Sequence, residues 1–163
     1  MNDNGRLISE TAVHFERVLP GPTERVWEYL TSSEHLPGWL GPGKIEPRAG
    51  GLVDLLEGHI RGVVTRWKPP HLLTYTWNVF SPGETASRFP ESYLTWELKP
   101  HGNDVQLMLM HRPMLHGFEA QTMMGWHTFL EMFAARLRGE TPEPRETIME
   151  RNRLRYGVEQ IKR

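Results

Sequence analysis

Three features of the chain predict an α+β fold in which a curved antiparallel sheet wraps around one long C-terminal helix. The 163 residues fit one domain with a real core. Between Lys44 and Arg112 short β-favouring runs follow one another through tight turns, the pattern of an antiparallel meander rather than of βαβ units. After Gly117 the apolar period changes from two to that of a helix.

Each element has its own justification. Residues 1–10, MNDNGRLISE, are polar and read as a flexible lead-in, without the basic-then-apolar order of a signal peptide. From Thr11 to Leu19 Val13, Phe15 and Arg17 alternate as in a strand, and Pro20-Gly21-Pro22 breaks it. Thr23 is placed to cap a helix with Glu24 in its first turn and Val26, Trp27 and Leu30 as its apolar stripe. Ser32 and Ser33 lead to a second short helix through Leu36, stopped by Pro37-Gly38.

Strands are expected over Lys44–Arg48, Leu52–Leu56, His59–Lys68, His71–Val79, Tyr93–Lys99 and Val105–Arg112, with a loop over Ser81–Pro90. Pro100 to Asp104 makes a hairpin connection. Over Gly117–Arg138, Met123, Trp126, Leu130, Phe133 and Leu137 step by three and four residues, and Gly139 with Pro142 and Pro144 ends the helix. The domain is therefore read as 11–139. Residues 140–163 are expected to be a C-terminal extension, either a tail or a further helix docked on the sheet or on a partner. The order is that of a helix-grip fold, which can leave a cavity between sheet and helix.

Composition excludes several functions. A formal net charge of -1 gives no electrostatic basis for binding nucleic acid or an anionic membrane. Without cysteine there is no disulfide, thiolate nucleophile or iron–sulfur cluster. No run of eighteen apolar residues exists to span a membrane, so a cytoplasmic location is expected. No histidine pair has the helical zinc spacing, and there is no Gly-x-Ser-x-Gly elbow or phosphate loop, so neither metal nor cofactor is expected. Six Trp and eight Met suit either a heavy core or a roomy apolar pocket.

The segments PTERVWEYLTSSEHLPGWLG (Pro22 to Gly41), PRAGG (Pro47 to Gly51), GVVTRWKPPHLLTYTW (Gly62 to Trp77), YLTWELKP (Tyr93 to Pro100), VQLMLMHR (Val105 to Arg112) and GWHTFLEMF (Gly125 to Phe133) stand in a telling order. In these the chain resembles the activator-of-Hsp90-ATPase homologue (Aha-like) family of the START/Bet v-type SRPBCC superfamily. The eukaryotic co-chaperone of that name has a separate chaperone-binding N-terminal domain, not expected in these 163 residues. Arg66 stands where the family's Gly-x-Val-x-Glu stretch carries its acid. Facing a pocket, it would favour an acidic or carbonyl ligand; facing solvent, it would matter little.

The resemblance implies that Val105, Leu107, Leu109 and His111 point at the long helix, with Leu94, Trp96 and Leu98, and Leu73, Tyr75 and Trp77, beside them. Opposite lie Met123, Trp126, Leu130 and Phe133. Those residues either pack as a plain core or line a ligand cavity. His111, closing an apolar strand face, could bond a ligand oxygen or move a proton, or be satisfied by the protein itself. Trp39, on a Gly/Pro loop, is either a gate at the cavity mouth or a staple. Glu97 falls on the outer face.

The expected function is binding of a small hydrophobic molecule, with Trp39, Arg66, Trp77, Trp96, Leu107, Leu109, His111, Met123, Trp126, Leu130 and Phe133 as its contacts. Two alternatives remain open. One is an enzyme resembling the superfamily's polyketide cyclases and aromatases, with His111 as proton-transfer group and Tyr75 as helper. The other is a stress-linked co-chaperone-type interaction protein. A sheet edge and the extension are compatible with a homodimer.

Overall fold

The computed structural model describes residues 10–159. The first strand, β1 (Val13–Pro20), is followed by α1 (Thr23–Thr31), a single 3₁₀ turn (Leu36–Gly38) and the short strands β2 (Gly43–Ile45) and β3 (Leu52–Leu55). Four longer strands follow: β4 (Ile60–Lys68), β5 (Leu72–Val79), β6 (Ser92–His101) and β7 (Asp104–Arg112). The long helix α2 (Glu119–Leu137) and a further helix α3 (Arg145–Tyr156) complete the order. All seven strands join one sheet in the order β1-β7-β6-β5-β4-β3-β2, every neighbour antiparallel. Only the step from β1 to β2 crosses the sheet, and it carries α1 and the 3₁₀ turn. The expected helix-grip architecture is thus the observed one.

Period two decides which side chains meet α2. On β1 Val13, Phe15 and Leu19 are buried; on β7 Val105, Leu107, Leu109 and His111; on β6 Ser92, Leu94, Trp96 and Leu98. Register keeps these rows level: Leu94 lies opposite His111, Trp96 opposite Leu109 and Leu98 opposite Leu107. The helix answers with Trp126, Leu130, Phe133 and Leu137, all buried. Its end is a Schellman closure: Gly139 takes φ +74°, its N–H bonds the carbonyl of Arg136, and the N–H of Glu140 bonds that of Ala135.

Three local expectations need correction. Helix α1 starts at Thr23 with Pro22 in the cap position, and Thr23 makes no capping bond because its side chain is buried. The strand expected over Lys44–Arg48 stops at Ile45, because Glu46 turns its carboxylate back to accept the N–H of Leu52 at 2.8 Å. Arg66 does not share the face of Val64. Val64 pairs with Tyr75 but Arg66 pairs with Thr74, so a bulge inserts Thr65 and turns Arg66 out to solvent.

After residue 139 the chain runs without regular structure to Pro144 and is then helical over Arg145–Tyr156, docking on α2, not on the sheet. Asn152, fully buried, donates from Nδ2 to Thr128 Oγ1 at 3.0 Å, and Thr128 passes its own proton to the carbonyl of Met124. Ile148 is the one apolar side chain of α3 that is buried.

Candidate functional site

The inner rows of β5, β6 and β7 converge with α2 on a cluster of rings. Trp126 on α2 lies 5.3 Å from Trp77, 5.5 Å from Trp96 and 6.2 Å from His111, measured between ring centroids. Trp77 is itself 5.4 Å from His111. Tilted and edge-on arrangements dominate, as the ring quadrupoles favour. Trp77 and Met123 are half-buried, whereas Trp96, Leu107, Leu109, Trp126, Leu130 and Phe133 are buried.

A short polar chain runs through this apolar surround. The indole N–H of Trp126 donates to His111 Nδ1 at 3.1 Å. That leaves the ring proton on Nε2, where it is donated to Ser92 Oγ at 2.8 Å. Ser92 in turn donates to the carbonyl of Trp77 at 3.3 Å. Burial pushes the His111 pKa down to about 4, so the ring is neutral near pH 7. Tyr75 is buried deeper, accepting the Trp96 indole N–H at 3.3 Å, and burial raises its phenol pKa. His111 and Tyr75 belong to separate hydrogen-bonded pairs, so no bond joins the two proposed proton carriers.

Trp39 is 1 % exposed, which makes it a staple and not a gate at the surface. Its ring lies 4.8 Å from Phe133 and 6.0 Å from Trp96, and its N–H donates to the carbonyl of Tyr29 at 2.9 Å. The space between sheet and helix is filled there by side chains. Two surface concavities lie elsewhere: about 400 Å³ beside Pro22 and Asn103, and about 560 Å³ between His35 and Arg136. Glu28, Glu34 and His35 near the second bring potential ligand atoms within 4.8 Å of one another, with both carboxylates exposed and His35 half-buried.

Of the residues singled out from sequence, Trp77, Trp96, His111 and Trp126 make up the polar chain and its rings, Met123 is half-buried against the core, and Leu107, Leu109, Leu130 and Phe133 pack as core. Arg66 stands apart. Ser92 stands one residue before the strand that the sequence predicts from Tyr93, two residues before Leu94 and so on the same inner face.

The profile of the family described as Activator of Hsp90 ATPase homolog 1-like protein matches residues 20–138, well over half of the chain. The chain belongs to this Activator of Hsp90 ATPase homolog 1-like family. No curated protein matches it. Among solved structures it is similar to CalU16 from Micromonospora echinospora, with 23% identity and TM-score 0.72 over 90% of this chain and 86% of that one. A protein encoded by gene BPP1335 of Bordetella parapertussis gives 25% identity and TM-score 0.73 over 99% and 92%. An HSP90 activator from Plasmodium falciparum gives 21% identity and TM-score 0.67 over 78% and 96%. These likenesses carry the SRPBCC-type fold of the family. Among the described residues no helix is long and apolar enough to cross a membrane.

Proposed function

We propose that the protein binds a small, uncharged aromatic molecule between the sheet and the first half of α2, against Trp77 and the His111–Ser92 pair. The observation that carries this reading is the half-buried indole of Trp77 packed edge-on, at 66°, against a buried, neutral histidine. A flat ligand stacked on Trp77 with one oxygen near Ser92 Oγ would exchange one hydrogen bond for another. A cationic ligand would find no counter-charge beside His111, and a neutral ligand meets no charge to desolvate.

Space for it comes from side-chain movement. Met123 and Met114 are half-buried against the core, and unbranched thioethers repack at little cost. Removing roughly 200 Å² of apolar ligand surface from water at about 25 cal/mol per Å² contributes about 5 kcal/mol before association costs. Micromolar affinity therefore depends on the added polar contact.

His111 is suited to hold more than to transfer protons. Trp126 occupies its only basic nitrogen, and a general base needs that lone pair free. A second reading, an interaction protein acting on a chaperone, is supported by the family to which the chain belongs; truncation after Gly139 with the fold retained tests it through loss of partner binding.

The test of the binding reading is native mass spectrometry of the purified protein, followed by a thermal-shift screen of neutral aromatic compounds. A co-purifying mass or a raised melting temperature supports it by mass action. No mass and no shift across the screen would leave the rings as plain core.

A further inference from the structure

Helix α3 does more than cover α2. Its first residue, Arg145, lays its guanidinium over the ring of Phe129, 5.1 Å from the centroid. Nη2 of Arg145 donates to the main-chain carbonyl of Trp39 at 3.0 Å, and Nε reaches Met132 Sδ at 3.5 Å. A half-buried cation is thus held by a carbonyl, a thioether and a ring.

The segment it grips is the one that fills the interior. Arg136 of α2 holds the neighbouring carbonyl of Gly38 at 3.0 Å, and the Trp39 indole is pinned by Tyr29. Within the segment, Leu36 supplies its carbonyl to the N–H groups of Trp39, Leu40 and Gly41 together, so one acceptor is shared three ways. Gly41 at φ +144° and Gly43 beyond it let the chain turn sharply into β2. The main-chain bonds that fix Trp39 from outside its own turn come from two arginines, one of them on α3.

The seating of α3 is mostly polar. Besides Ile148 and the half-buried Met149, which accepts from Thr128 at 3.5 Å, and besides Arg145, its side-chain bonds to α2 are Asn152 with Thr128, the Tyr156 hydroxyl with His127 Nδ1 at 2.7 Å, and Arg151 with Glu131. Arg151 also pairs with Glu143 of the linker. Leu154 is left 67 % exposed. An element with few buried apolar side chains and several exposed ion pairs opens at lower free energy than the core it covers.

We propose that α3 is a latch on the interior: docked, it holds Trp39 against Trp96 through Arg145, and undocked, it frees the Trp39 segment so that Trp96 can shift towards it and widen the space beside Trp126 and Trp77 for an apolar ligand. The inference rests on the interior-binding reading above. Release of α3 raises the fraction of molecules that can admit a ligand, and the ligand, by pressing Trp96 towards Trp39, favours release of α3 in return.

Hydrogen exchange on the full chain tests the latch without any ligand. Arg145→Ala removes the bond to Trp39, and Asn152→Ala loosens α3 while keeping Arg145; circular dichroism confirms that each is folded. Exchange at residues 36–43 is expected to rise about tenfold in both, the scale of losing one charge-assisted hydrogen bond, with β6 and β7 unchanged. The neutral probe N-phenyl-1-naphthylamine should then associate about tenfold faster with both variants than with wild type. Wild-type protection of 36–43 in a variant whose α3 amides exchange freely overturns the latch, even if the probe binds. Raised exchange with no probe uptake by any of the three proteins overturns the gating and the interior-binding reading together.

Discussion

Acid should destabilise this protein through one histidine, by an amount the structure sets. His111 is buried, its Nδ1 accepts from Trp126, and it pays for burial with a pKa of about 4 against 6.5 in the unfolded chain. Because the folded value is the lower one, folding prefers the neutral ring. Its stability is fully present above pH 6.5, falls as the pH drops, and levels off below pH 4. Between pH 7.5 and pH 4.5 the loss from this one group comes to about 2–3 kcal/mol, from the pKa values of about 4 and 6.5. Urea unfolding at a series of pH values measures it. His111→Phe supplies the reference, since carboxylates and other histidines titrate in both proteins and cancel in the difference. The variant loses stability at every pH, because the Trp126 N–H and Ser92 are left without their partner, but that offset is independent of pH. Wild type should lose about 2–3 kcal/mol more than the variant over this interval. Parallel pH profiles would refute the buried, neutral His111.

Further outcomes follow from single contacts. A side chain at Gly62 would drive its Cβ into the main-chain carbonyl of Thr76, so Gly62→Ala should cost about 1–3 kcal/mol in urea unfolding by forcing β4 from β5. Trp39→Ala empties a fully packed position and should cost about 3–5 kcal/mol, and Trp39→Phe less, as thermal or urea unfolding would record. Asn152→Ala removes the donor to Thr128 and the acceptor for Arg155, and should cost about 1–3 kcal/mol; limited proteolysis should then cut within residues 139–144 before the core is touched.

The legible parts of this molecule are those governed by period. Alternation in Leu94-Trp96-Leu98 and Leu107-Leu109-His111, and the three-four stepping from Trp126 to Leu137, place those side chains between sheet and helix, because a buried face must repeat as the backbone does. Where one residue breaks the period, the sequence misleads. Thr65 adds one residue to β4 and sends Arg66 to the surface, and nothing in its identity announces a bulge. Asn152 is the opposite case. In a segment crowded with charge it looks like one more polar surface residue, and only packing against Thr128 explains its burial. Trp39 follows a Gly/Pro break that suggests a mobile loop. The bonds that hold it come from Tyr29, α2 and α3, none of them adjacent to it in the chain.

The account stands on the space beside Trp77, and titration with N-phenyl-1-naphthylamine probes that space most directly. Wild type should bind the probe saturably, and Trp77→Ala at least about tenfold more weakly, since a stacked aromatic contact of about 1.4 kcal/mol is lost. Equal affinity in the two proteins, or no saturable binding to wild type, would contradict it.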